Sequence, residues 1–177
     1  MNTNQQTKTQ KESLLQARKE AISDFKGIEH RLQFVASVQG VEYVNDSKAT
    51  DLESSHYSLE TIDNSIVWIV GHDEMQRDFS IVEDLVKNKV RGIISLGEGN
   101  KSVFDNLDRK IEMFAEAINM REAVKMAYFY AKPNEVVLLS PGASSFEMYE
   151  DFKARGNDFM AEVERIRQIV EEGKRVK

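Results

Sequence analysis

The stretch Ser65-Ile-Val-Trp-Ile-Val-Gly71 sets five large apolar side chains in a row and stops on glycine. A short unbroken run of this kind suits a strand buried on both faces, where neither side of the pleat carries polar groups. Downstream the chain alternates. A helix over about Ile81–Asn88 precedes the strand Gly92–Leu96, a helix from about Lys101 precedes a strand near Ile111–Phe114, and a helix over about Arg121–Ala131 precedes the strand Glu135–Leu139. Helix-then-strand units with short connections predict a parallel sheet with right-handed crossovers. Upstream, Gln33–Val38 and Val41–Val44 flank Gln39-Gly40, the signature of an antiparallel hairpin, and a helix is expected over Leu52–Thr61. The predicted fold is therefore α/β: a Rossmann-like, mostly parallel sheet flanked by helices, with a short antiparallel ribbon near the N-terminus.

The ends are read differently. Met1–Gln10 is polar without apolar periodicity and is expected to be a disordered leader. Leu14, Leu15, Ala21, Ile22 and Phe25 recur at helical spacing and stop near Gly27. The domain is expected to span residues 11–172, with 173–177 a charged tail. Phe146, Tyr149 and Phe152, then Phe159, Val163, Ile166 and Val170, read as one face of two final helical segments, broken and re-capped at Arg155-Gly156-Asn157-Asp158.

With 177 residues, a net charge of −6 and no cysteine, the chain is expected to be one domain without disulfides, cysteine zinc sites or thiol chemistry. The acidic balance argues against nucleic acid as a partner, and no apolar run approaches the ~20 residues needed to span a bilayer. A cytoplasmic location is expected. His30, His56 and His72 lack metal-ligand spacing and read as surface or capping residues, so no metal site is expected. Gly173-Lys174 lacks the upstream glycine of a phosphate loop.

Ligands of open parallel sheets bind beyond the carboxyl ends of the strands, which selects three loops: Asn45–Asp51, Gly71–Asp78 and Ser140–Ser145. In the first, Asp46 can accept from a sugar hydroxyl and Lys48 can face a carboxylate or phosphate. The same loop also reads as an ordinary helix entry capped by Thr50 or Asp51. The last offers small hydroxyl residues at the start of a helix, either as a seat for a carboxylate or with Ser144 or Ser145 as a plain N-cap.

Four segments carry a resemblance: Phe25-Lys-Gly-Ile-Glu-His-Arg-Leu-Gln-Phe-Val35, Val44-Asn-Asp-Ser-Lys-Ala-Thr50, Val137-Leu-Leu-Ser-Pro-Gly-Ala-Ser-Ser145 and Phe152-Lys-Ala-Arg-Gly-Asn-Asp-Phe159. In order and wording they resemble the C-terminal domain of the Mur ligases that add D-glutamate in peptidoglycan synthesis (the MurD type), over about Leu14–Val163. That resemblance implies that Arg31 and Asp46 contact the nucleotide, ATP or ADP. It implies that Lys48 is catalytic and that Thr50, Ser145 and Phe152 hold the incoming D-glutamate. In the resembling enzymes an acyl phosphate made from ATP and a UDP-sugar peptide is attacked by the D-glutamate amine. Two further domains supply the phosphate loop and the magnesium ligands, so magnesium binding is not expected of this chain alone and nucleotide binding is expected to be weak or residual.

One segment departs. Gly71-His-Asp-Glu-Met-Gln-Arg-Asp78 aligns with a glycine-rich loop whose lysine grips the D-glutamate carboxylate, and that lysine is here Met75. Methionine cannot pair with a carboxylate and Glu74 repels one, which predicts impaired D-glutamate binding. Arg77, two positions on, supplies a cation on a different loop path. Two expectations follow. The chain is either a ligase C-terminal domain, inactive alone, that works with an N-terminal and central ligase half, or a non-catalytic binding or regulatory module with another cytoplasmic protein as partner.

Overall fold

A computed structural model describes residues 29–72, 77–107, 110–173 and 176. The expected leader and the expected helix over Leu14–Phe25 lie outside these. Six strands, β1 (Gln33–Val38), β2 (Val41–Asn45), β3 (Ile66–Gly71), β4 (Val90–Leu96), β5 (Met113–Ala117) and β6 (Val136–Leu139), form one sheet in the order β1-β2-β6-β3-β4-β5. β1 runs antiparallel to β2, and every other neighbouring pair is parallel. The expected mixed α/β sheet is thus present. Its hairpin turns through Gln39 and Gly40, both at positive φ (50° and 82°), the geometry that matches the twist of a two-residue connection.

The apolar run forms β3, in which every residue is buried. Alternation explains why it tolerates no polar side chain. Val67 and Ile69 face one core, packed beneath α4 (Met120–Tyr130) and α5 (Phe152–Glu171) with Phe159, Val163 and Ile166. Ile66, Trp68 and Val70 face the other, beneath α1 (Leu52–Thr61), a 3-10 turn (Phe79–Val82), α2 (Glu83–Lys89) and α3 (Lys101–Leu107). Among the described residues no helix is long and apolar enough to cross a membrane.

The far end of the sheet, at the amino ends of its parallel strands, is closed by Arg91. Its guanidinium donates to both carboxylate oxygens of Glu135 at 2.6 and 2.7 Å and to the Tyr130 carbonyl at 2.7 Å, and lies 3.9 Å over the Tyr130 ring. The Arg91 hydrogen bonds hold the Glu135 carboxyl below its ordinary range against the opposing effect of burial.

Three expectations need correction. The break at Arg155–Asp158 does not exist: α5 is one continuous helix of 20 residues through Gly156. Residues 146–151 are turn rather than helix, with Phe146 79% exposed, so the apolar spacing there is coincidental. The cap of the last helix is Asp151, whose side chain accepts from the Ala154 amide at 2.7 Å, and not Ser144 or Ser145.

Candidate functional site

Because β2, β6 and β3 are neighbours, their carboxyl ends bring the three predicted loops together. Backbone bonds then stitch them: Gly71 N–H to the Pro141 carbonyl (2.8 Å), Gly142 N–H to the Ala49 carbonyl (2.9 Å) and Asp46 N–H to the Leu139 carbonyl (2.7 Å). The Gly71 approach is close: a β-carbon there would sit 3.0 Å from Pro141 Cβ and 3.1 Å from Ala143 Cβ, so either neighbour would have to give way.

Asp46 is the buried pivot of this edge, 2% exposed. Its Oδ1 accepts from the Leu32 amide (3.1 Å), and its Oδ2 accepts from the hydroxyls of Ser58 (2.5 Å) and Ser140 (3.0 Å). Burial pushes this carboxyl above its ordinary value, and the three donors pull it partly back. Trp68 joins the same knot by donating its indole N–H to the Ser140 carbonyl at 2.7 Å. In this geometry the Asp46 oxygens face into the chain and brace three elements.

Around that pivot, Arg31, Lys48 and Thr50 are exposed at the rim. Asp51, not Thr50, caps α1, accepting from the Ser54 amide at 2.7 Å, which leaves the Thr50 hydroxyl outside the cap. The Lys48 ammonium lies 6.0 Å over the ring of Phe152, the first residue of α5. Ser145 is 5% exposed, and its carbonyl accepts from the amides of Met148 and Tyr149 (3.1 and 2.8 Å). The sequence-derived residues therefore lie along one edge, with the Lys48 ammonium 6.0 Å from the centre of the Phe152 ring, Arg31 close enough to act electrostatically on Asp46, and Ser145 on the adjoining loop.

The altered loop takes an unexpected path at its end. Arg77 donates to the carbonyls of Gly71 (2.8 Å), Pro141 (3.2 Å) and Gly142 (3.1 Å) and stacks 5.0 Å over the Phe79 ring. Its guanidinium pins this loop to the serine loop. Residues 73–76, including Met75, lie outside the described ones. His72 meets Glu147 at 3.5 Å across the same seam.

Two residues at the heart of the site escaped the sequence reading. His30, expected at the surface, is 2% exposed. Its Nδ1 accepts from the Asn45 amide nitrogen at 2.9 Å, which places the ring proton on Nε2, and its ring meets Phe152 edge-on with centroids 6.1 Å apart. Arg155, also 2% exposed, donates to the Ser47 hydroxyl and carbonyl and to the carbonyls of Ala143 and Ser144. Burial pulls its pKa down to about 10, which still leaves it cationic at neutral pH. The signal for both was the resemblance itself, since each sits inside a quoted segment. Among the described residues no group of three or more His, Asp or Glu side chains is placed to hold a metal ion.

Burial holds the His30 imidazole below its ordinary value of 6.5. The unfolded chain therefore binds the proton first, and the stabilisation is full above 6.5 and lost as pH falls through the folded value. Protonating Nδ1 would also cost the Asn45 bond. Urea denaturation at pH 7 and pH 5 is expected to show a decline that His30→Gln reduces. An equal decline in both proteins would remove His30 as its source.

Residues 30–143 match the family described as Mur ligase, glutamate ligase domain, and the chain belongs to that family. Among its relatives, the UDP-N-acetylmuramoylalanine–D-glutamate ligase of Porphyromonas gingivalis is 41% identical over 148 residues, covering 84% of this chain and 33% of the relative. The enzyme of the same name from Cytophaga hutchinsonii is 39% identical over 139 residues, covering 78% and 31%. The chain thus spans about a third of the length of these curated relatives. Among solved structures, Escherichia coli FolC in complex with DHPP and ADP superposes with a TM-score of 0.53 at 16% identity, covering 80% of this chain and 32% of that one. The UDP-N-acetylmuramate–alanine ligase MurC of Thermotoga maritima gives 0.52 at 15%, covering 84% and 32%. These last two likenesses speak for the fold.

Proposed function

We propose that this chain is the amino-acid- and nucleotide-contacting domain of an ATP-dependent, D-glutamate-adding ligase of peptidoglycan synthesis, and that it does not turn over by itself. The observation that supports the reading is the stitched edge: two loops bonded to one another carry Lys48 and Thr50 on one side and Ser145 on the other, with Phe152 opening the next helix, in a chain about 40% identical to ligases of that name.

Bound ATP supplies the phosphoryl group that activates a carboxylate. On this chain, the exposed Arg31 guanidinium and Lys48 ammonium suit the anionic nucleotide and the charge that develops as an amine attacks. The face of the Phe152 ring, 6.0 Å from the ammonium, offers Lys48 a weak cation–π partner. Thr50 and Ser145 offer hydroxyls to an amino-acid carboxylate from two sides. Asp46 acts inward, fixing the loop that carries Lys48. A phosphate-gripping loop is absent from these 177 residues, so phosphoryl transfer needs groups supplied across a cleft by another domain.

One observation favours a second reading, a binding module without catalysis. Met75 stands where the resemblance places a carboxylate-gripping lysine, and Arg77, two positions on, donates to three carbonyls.

Titration of the chain with ADP and then D-glutamate, followed by amide NMR and Trp68 emission, tests these readings. Shifts at Arg31, Lys48–Thr50 and Ser145 are expected, together with phosphate release from ATP no greater than that of Lys48→Ala. No shift at millimolar ligand would overturn the first reading in favour of the second. ATP turnover above the Lys48→Ala control would overturn the claim of inactivity.

A further inference from the structure

Arg155 is a buried cation with no carboxylate partner among the described residues. All four of its hydrogen bonds end on neutral oxygens: the Ser47 hydroxyl (3.0 Å) and carbonyl (2.9 Å), and the carbonyls of Ala143 (3.1 Å) and Ser144 (3.0 Å). Burying a charge this way is unfavourable, and a helix needing only an apolar contact here would be more stable with leucine or methionine. What the fork achieves is reach. The loop bases are already joined by the Gly142–Ala49 backbone bond, and Arg155 carries the tie onward to residues 143 and 144, immediately before Ser145. On the other side it grips Ser47, immediately before Lys48. The Ser47 hydroxyl itself donates to the Phe152 carbonyl at 2.8 Å, so the start of α5 belongs to the same knot.

We propose that Arg155 is a positioning residue that locks the Ser47–Thr50 and Ala143–Ser145 segments into one body, so that Lys48, Thr50, Phe152 and Ser145 meet a substrate at fixed spacing. The inference deepens the proposed function and rests on it for what the site binds. The lock itself is a property of the unliganded chain. Guanidinium geometry is essential to it: a lysine ammonium is a point donor and cannot span Ser47 and the 143–144 carbonyls together.

Amide hydrogen exchange on the full chain separates a lock from a general stabiliser. Lys48 N–H donates to the His30 carbonyl (3.0 Å) and Tyr149 N–H to the Ser145 carbonyl (2.8 Å), one reporter on each side of Arg155. In Arg155→Met and in Arg155→Lys, both amides are expected to exchange at least tenfold faster than any change at β3 amides such as Ile69. Arg155→Lys keeps a buried cation without the fork and should be no more stable than Arg155→Met, and it should not recover protection at the two loops. A uniform rise across the core, a change confined to α5, or full rescue by lysine would overturn the lock. Should neither variant fold, Ser47→Ala removes the Nε acceptor together with the hydroxyl's bond to the Phe152 carbonyl, both parts of the knot, and should still speed exchange at Tyr149; an unchanged Tyr149 would refute the proposal. Titration of the wild-type chain with ADP and D-glutamate stands apart. If neither binds, the functional reading falls while the exchange pattern still decides the lock.

Discussion

Gly156→Ala is expected to destabilise the protein by roughly 2 kcal/mol, although alanine is the better helix former by about 1 kcal/mol and Gly156 lies inside α5. The reason is the His30 ring. A β-carbon at position 156 would sit 2.2 Å from His30 Nδ1 and 2.9 Å from two further ring carbons. The ring has no easy retreat, because Asn45 donates to it and Phe152 packs on its edge. Asn45 also donates to the Gly156 carbonyl at 3.3 Å, so shifting the helix away would loosen a second bond. Chemical denaturation measures the loss. The sign should reverse when the ring is removed: in a His30→Ala background the same alanine is expected to be neutral or stabilising. Equal effects of Gly156→Ala in both backgrounds would show that the ring is not the cause.

Asp46→Ala is expected to cost about 3 kcal/mol, because it strands buried donors rather than removing a surface charge. Three groups lose their acceptor: the Leu32 amide and the hydroxyls of Ser58 and Ser140. The hydroxyls can turn; Ser58 already reaches the Ser54 carbonyl at 3.2 Å and Ser140 has the Ser55 hydroxyl at 3.0 Å. The Leu32 amide cannot, since its backbone is held at a φ of 43°. Asp46→Asn keeps an oxygen for that amide and should cost about 1 kcal/mol. The pH dependence gives an independent reading. Burial raises the folded Asp46 value above 3.8, so the folded state binds its proton first, and the stability that ionisation removes returns as pH falls through the folded value towards 3.8. Wild type should therefore gain on Asp46→Asn on acidification. A gap that is constant or widens the other way would contradict the raised value.

The sheet was legible in the sequence because its signals are local. A five-residue apolar run between polar turns has few solutions, and helix–strand alternation then fixes the crossovers. The meeting of the three loops was legible because each follows a strand of the parallel sheet, and it puts Lys48, Thr50 and Ser145 on the same edge. The misreadings share one cause. Gly156-Asn157-Asp158 has the composition of a helix stop, yet the glycine answers to a histidine far back in the chain and the helix runs on. His30 and Arg155 are polar types that usually face water, and their burial comes from partners such as Asn45 and Ser47 that no local pattern reveals. Arg77 looked like a replacement cation for a ligand, and two of its three carbonyl partners, Pro141 and Gly142, belong to a segment brought near by the β3–β6 pairing.

The Arg91–Glu135 closure lies at the end of the sheet opposite all three loops. Rigidity at that end therefore does not depend on whatever occupies the other. The adjoining turn at Lys132-Pro133-Asn134 is exposed and offers a point of attachment for a tether, label or solid support that leaves the loop edge facing outward, open to solution.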